Sequence, residues 1–143
     1  MQNGSGLEGP LLIDTHYWIW YVAATRERLT DQNVHLIREA AASGRLIVSA
    51  ISVWEIAMLE SKNRIQLQKS CAQWVEEALT MPGLSLAPLS PDIAIESNYL
   101  PGDFHGDSAD RIIVATARVM GARLLTSDKN IRGYGKQGYL LLA

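Results

Sequence analysis

The chain has a single cysteine, Cys71, so it holds no internal disulfide, and its three histidines, His16, His35 and His105, show no metal-binding spacing to one another. These absences weigh against a disulfide-stapled secreted scaffold and against a zinc site. Cys71 falls in a helical stretch with apolar neighbours and reads as a buried, inert thiol in a reducing compartment. Long hydrophobic runs are also missing. The longest, YWIWYVAA and RIIVATA, fall well short of the roughly 18 residues a membrane span requires, so a soluble, cytoplasmic chain without a membrane partner is expected. Positive charge is not in excess either. With 13 lysines and arginines against 15 acids the net charge is -2, so any polyanionic partner would have to be guided by a local basic rim. The first ten residues, MQNGSGLEGP, lack the apolar core of a secretory signal and read as a flexible leader or a remnant outside the fold, leaving 11–143 as one domain.

What is present suits a globular core: 143 residues with 48% hydrophobic content. PLLID is a short apolar run ending in an acid and followed at once by the helical THYWIWYVAA, the handover of a buried parallel strand to its helix. The rhythm repeats. A helix is predicted over Asp31 to Ala42, a strand at RLIVS, a helix at AISVWEIAMLESKN and another from Ser70 to Leu79. LSLAPL reads as a strand, SPDIAIESNYL as a helix with Pro91 in its first turn, Ser108 to Met120 as a long helix closed by Gly121, and RLLTSD and YLLLA as the last strands. Short apolar strands alternating with helices predict a mainly parallel sheet covered on both faces, a three-layer α/β/α sandwich. Ligands of such sheets bind beyond the carboxyl ends of the strands, where Asp14 and Asp128 fall by sequence position. Glu55, Asp107 and Asp110 lie near helix starts at the same edge.

Each acid has an ordinary reading. Asp107 suits a helix N-cap and Asp110 the third position after it; SVWE, Ser52 to Glu55, fits a capping box; acids after strands commonly cap the next helix. Yet Asp110 begins the inward stripe Asp110, Val114, Ala117, Gly121, and Glu55 has Ile51, Met58 and Leu59 around it at helical spacing, where a lone carboxylate is poorly solvated. Gathered in one crevice, the acids repel unless a cation sits among them. An all-oxygen donor set suits a hard ion, Mg²⁺ or Mn²⁺, and such ions held by carboxylates are well fitted to splitting phosphodiesters. Arg111, Lys129 and Arg132 stand close in sequence to the acids and can guide a polyanion, or else form ordinary solvated surface. His16 reads as a packing or hydrogen-bonding residue, with a supporting role behind the metal ligands also open to it, and Trp54 and Trp74 as core. Tyr17, Trp18, Trp20 and Tyr21 spread around one helix, which fits either a core helix or one with a side turned to a protein partner.

The set LLIDTH, VSAISVWEIAML, HGDSADRIIVATA and LLTSDKNI, in this order, resembles PIN-domain nucleases, and most of all the VapC-type toxins of toxin-antitoxin pairs. The likeness runs from about Leu11 to the last strand. It implies a compact α/β/α domain that cleaves RNA with Mg²⁺ or Mn²⁺ held by Asp14, Glu55, Asp110 and Asp128, with Asp107 as an added acid that ligates, holds water or only caps. It places Thr126 where its hydroxyl can orient Asp128, sets Thr15 directly after the first acid, and implies a cognate antitoxin and a homodimer. Where many relatives have a small polar residue, this chain has His16. That residue also weighs against phosphoryl transfer through an aspartyl intermediate, which wants an acid two positions after the nucleophile. The rival of another class is a catalytically silent module that binds RNA or a protein.

Overall fold

The computed structural model describes residues 9–143; most of the expected leader, 1–8, lies outside the described residues. Gly9 and Pro10 belong to the fold. The Gly9 carbonyl accepts from Arg45 Nη1 at 2.9 Å and the Pro10 carbonyl accepts from the Arg123 backbone N–H at 3.0 Å.

Three apolar residues with no exposed surface, Leu11–Ile13, form β1, and they sort by the two-residue period of a strand. Leu11 and Ile13 face one core, shared with Leu46 and Val48 of β2 (Leu46–Ser49), Trp18 of α1 (Thr15–Ala23), Ile37 of α2 (Asp31–Ala42), Ile56 of α3 (Ala50–Ser61) and Ala78 of α4 (Cys71–Ala78). Leu12 faces the other, with Ile47, with Ile113 and Val114 of α6 (Ser108–Met120), with Leu124 of β4 (Arg123–Leu125) and with Ile131 and Tyr134 of α7 (Lys129–Lys136). Two cores on one sheet make three layers. β3 (Leu84–Ala87), α5 (Pro91–Glu96) and β5 (Leu141–Leu142) complete the element order, and a 3-10 turn at Arg26–Arg28 lies between α1 and α2.

All strand pairs are parallel, in the order β3-β2-β1-β4-β5, with Ile13 opposite both Val48 and Leu125. Every strand therefore ends at one edge. The chain winds outward from β1 to β2 and β3, then returns to the other side of β1 for β4 and β5. The crevice between the ends of β1 and β4 is thus the switch point at which open α/β sheets bind ligands.

The predicted elements recur with shorter bounds: the strand at LSLAPL covers only Leu84–Ala87, the helix from Pro91 stops at Glu96, and the final strand is reduced to Leu141–Leu142. One helix, α7, has no counterpart in the sequence reading, because Gly133 and Gly135 speak against a helix by propensity. Tertiary packing outweighs that cost. Asp128 caps α7, Ile131 and Tyr134 are buried, and a Cβ on Gly135 would stand 2.6 Å from the Leu142 side chain, so the glycine lets helix and strand approach. Trp54 departs from its expected core position. It is 58% exposed, whereas Trp74 is half-buried with its ring 5.3 Å from fully buried Trp18. Of the aromatic residues on α1, Tyr17 and Trp18 are buried and Trp20 and Tyr21 half-buried, so the first two are core.

Candidate active site

Asp14 leaves β1 and caps α1: its Oδ1 accepts from the Tyr17 N–H at 3.0 Å. Its Oδ2 accepts from the Thr126 hydroxyl at 2.6 Å. Only 8% exposed, the carboxyl is pushed above its ordinary range by burial, against the pull of those two hydrogen bonds, with the negative charge of Asp128 acting in the same direction as burial. Across the crevice Asp128 caps α7 through Oδ1, which accepts from the Ile131 N–H at 2.9 Å. Asp107 caps α6 in the same way, accepting from the Asp110 N–H at 2.9 Å. In both of these caps one oxygen is engaged and the second is left for the cleft. Capping and site duty are therefore compatible, because a capped carboxylate is a fixed one.

Glu55 is held differently. The N-cap of α3 is Ser49, which accepts from the Ile51 N–H, so the capping box expected from Ser52 to Glu55 does not form. Ser52 lies inside the helix, fully buried, with its hydroxyl 2.7 Å from Thr15 Oγ1, and Thr15 donates to Glu55 Oε1 at 2.5 Å. A hydroxyl has one proton to give, so Thr15 gives it to the carboxylate and can accept from Ser52. Burial raises the Glu55 carboxyl above its ordinary range, the Thr15 bond opposes this, and the charges of Asp107 and Asp14 add to it.

Asp110, the acid that opens the α6 stripe, is half-buried and is shifted upward as well. Burial first, then the charges of Asp107, Asp128 and Glu55, push it up to about 7. Of the other inward positions of the stripe, Val114 and Ala117 are fully buried, whereas Gly121, the C-cap of α6, is exposed.

Asp14, Glu55, Asp107, Asp110 and Asp128 line one cleft of about 470 Å³ together with Thr15 and Ser127. No ion pair among the described residues engages any of the five acids. Nor, among the described residues, are three or more Asp, Glu, His or Cys side chains already drawn tightly enough to grip an ion. The donor set is nonetheless one that fits a hard divalent cation: carboxylate oxygens, mutually repelling, with three carboxyls raised and no built-in counter-charge paired to them.

Two expectations change at the level of contacts. Thr126 orients Asp14, not the Asp128 side chain; it touches Asp128 only by accepting from its backbone N–H at 3.1 Å. Arg111 is turned away from the cleft, with Nε donating to the Ser97 carbonyl at 2.8 Å and Nη1 to the Phe104 carbonyl at 3.0 Å. Lys129 lines an adjoining hollow with Asp103, His105 and Tyr134, and Arg132 donates to the Thr126 carbonyl. His16 is exposed in the acidic cleft, with its ring 5.9 Å from that of Trp20. Conversely, Trp20, Arg28, Ile113 and Ile131 line the cleft without having been singled out for it. Trp20 stands one helical turn after His16, a spacing visible in the sequence; Arg28 arrives from the turn before α2, which no local pattern announces.

The PIN domain family model matches residues 11–137. The chain is 34% identical to Ribonuclease VapC22 of Mycobacterium tuberculosis over 124 residues, 87% of this chain and 91% of that protein. Among solved structures it resembles a chain of VapBC2 from Rickettsia felis bound to a DNA fragment from their promoter, with TM-score 0.65, 14% identity and coverage of 93% of this chain and 97% of the other. It also resembles a chain of FitAcB from Neisseria gonorrhoeae, with TM-score 0.61, 17% identity and coverage of 93% and 96%. The parallel sheet, the switch-point cleft and these likenesses agree, and the chain belongs to the PIN domain family, among its VapC-like members.

Proposed function

We propose that this chain is a metal-dependent endoribonuclease, the toxin of a type II toxin-antitoxin pair, hydrolysing RNA phosphodiesters at the acidic cleft. The observation that carries the reading is the convergence of Asp14, Glu55, Asp110 and Asp128, from four separate segments, on one cleft, with no cation paired to them among the described residues. The ribonuclease name of the mycobacterial relative supports it. Asp14, Glu55, Asp110 and Asp128 would hold Mg²⁺ or Mn²⁺, with Asp107 beside them. Such an ion, when bound, supplies Lewis acidity toward the phosphate and lowers the pKa of a water.

The chain's own residues do the positioning. Thr126 and the Tyr17 N–H fix both oxygens of Asp14, Thr15 fixes Glu55, and the helix caps fix Asp107 and Asp128, so the acids need little reorganisation when a substrate arrives. Ile113 and Ile131 give the cleft apolar wall, which limits the water around the reacting phosphate.

The partners are an RNA substrate, a cognate antitoxin and a second copy of the chain. Complex structures among the structural neighbours support the antitoxin, and exposed Ile95, Tyr99 and Val119 on and beside the packed α5 and α6 give apolar surface for a protein contact. No helix among the described residues is long and apolar enough to cross a membrane; the place we assign to this activity is the cytoplasm, where its RNA substrate is. The test is cleavage of single-stranded RNA in Mg²⁺ or Mn²⁺, lost on chelation and in Asp14→Asn. Cleavage that persists in Asp14→Asn overturns the assigned site.

A further inference from the structure

Trp20 and Arg28 stand in the wall of the acidic cleft without holding any of its carboxylates. Arg28 is the one lysine or arginine among the cleft-lining residues. Its guanidinium carbon lies 5.7 Å from the centre of the Trp20 ring, on its face. The side chain is exposed and makes no hydrogen bond or ion pair with any described residue. Other arginines of the fold differ: Arg111, Arg118 and Arg132 all spend donors on backbone carbonyls. Among the described residues, then, nothing takes up the side-chain donors of Arg28.

Trp20 is a fixed ring. Half-buried on α1, it is met edge-on by Tyr17 at 5.1 Å, and the exposed ring of His16 lies 5.9 Å away, tilted by 48°. A rigid aromatic surface beside a guanidinium, at the mouth of a cleft built for a phosphodiester, has the composition that single-stranded nucleic acid requires. Any base offers a π-face to an aromatic ring when unpaired, and a duplex hides that face in its stack. The cleft is otherwise acidic, so an incoming phosphate gains most from the one unspent cation there.

We infer that Trp20 and Arg28 form a nucleotide subsite for unpaired RNA beside the scissile phosphate, Arg28 holding a phosphate and the Trp20 ring receiving the attached base. The inference rests on the ribonuclease reading, deepens it, and makes strandedness a property of this wall.

Binding is read by fluorescence anisotropy of a short, labelled, random-sequence RNA on the Asp14→Asn chain, as single strand and as duplex, across a salt series. Arg28→Ala should weaken single-strand binding about tenfold and lower the slope of log affinity against log salt by about 0.7, the loss of one phosphate contact. Arg28→Lys should restore that slope. Trp20→Leu should weaken single-strand binding about tenfold with no change of slope, Trp20→Phe should recover most of it, and duplex binding should respond to neither. Arg64→Ala, exposed and outside the cleft, serves as the unaffected control. In the chain with Asp14 intact, Arg28→Ala should raise KM for cleavage more than it lowers kcat. Unaltered single-strand affinity in both Arg28→Ala and Trp20→Leu overturns the subsite, and should Trp20→Leu fail to fold, the exposed Arg28 variants decide alone. Absence of any cleavage by the parent chain overturns the ribonuclease reading instead, a result the anisotropy series reads separately.

Discussion

Thr126 donates its hydroxyl to Asp14 Oδ2 at 2.6 Å across a separation of 112 residues, and this bond ties the end of β4 to the end of β1. It closes the switch point from within. The carboxylate it holds is buried, and burial pushes the carboxyl toward its neutral form; the Thr126 bond is the strongest of the contacts that oppose this, ahead of the Tyr17 N–H.

Thr126→Val removes that donor while nearly keeping the shape of the side chain. Metal affinity and RNA cleavage should both fall by about 10- to 100-fold, the cost usual for an outer hydrogen bond to a ligating group. Thr126→Ser should retain most of both. Calorimetric metal titration alongside single-turnover cleavage measures them, and a Thr126→Val chain that binds metal normally would show that Asp14 needs no such support.

Asp110 sets an unusual pH dependence on the metal-free chain. Its carboxyl is raised from 3.8 to about 7 by burial and by Asp107, Asp128 and Glu55, so the folded chain binds its proton more tightly than the unfolded chain does. Folding stability therefore falls as pH rises from about 4, and the loss is complete above about 7. Asp14 and Glu55 are raised too and act with the same sign. In chelator, Asp110→Asn should melt at a temperature close to the parent at pH 4 and a few degrees higher above pH 7, and with Mg²⁺ or Mn²⁺ restored it should cut no RNA. Thermal melts over that pH range decide it; parallel curves for the two proteins would refute the repulsion.

Added Mg²⁺ or Mn²⁺ should reverse that loss. A ligand of the folded state present at 100 times its dissociation constant adds about 2.7 kcal/mol. The melting temperature should rise with metal concentration above pH 7, hardly at pH 4, and not at all when Asp14→Asn and Asp110→Asn are combined. Equal shifts at both pH values would point to nonspecific ion binding.

The tryptophans separate core from surface. Trp18 is fully buried and Trp54 is 58% exposed, so Trp18→Ala should cost about 3–5 kcal/mol and Trp54→Ala no more than about 0.5 kcal/mol. Urea unfolding of the two variants gives both values. A large cost at Trp54 would mean that its ring is covered in solution, as by a second copy of the chain.

The strand and helix rhythm, the parallel three-layer sheet and the acids at strand ends were legible in the sequence, because they depend on spacings of two to four residues and on caps beside them. Asp107 could be read as a cap from its own neighbours alone, and the structure shows that cap. Contacts between distant segments could not be read this way. Glu55 looked like half of a capping box because its local pattern permits one; the helix instead begins at Ser49, and Glu55 is claimed by Thr15 from another element. Arg111 looked available beside Asp110, yet a helix sends successive side chains in different directions, and its guanidinium serves two carbonyls of the preceding loop.

By itself, then, the order of residues determined which segments become strands and helices and which carboxylates stand at their ends, since periodicity and capping are local. Only the tertiary structure decided that β1 lies between β2 and β4, and through that order that Thr126 meets Asp14, that Arg28 enters the cleft and that Trp54 stays outside. The reason is physical: strand order is chosen by the burial of two whole faces of a sheet, a sum over many side chains that no short window contains.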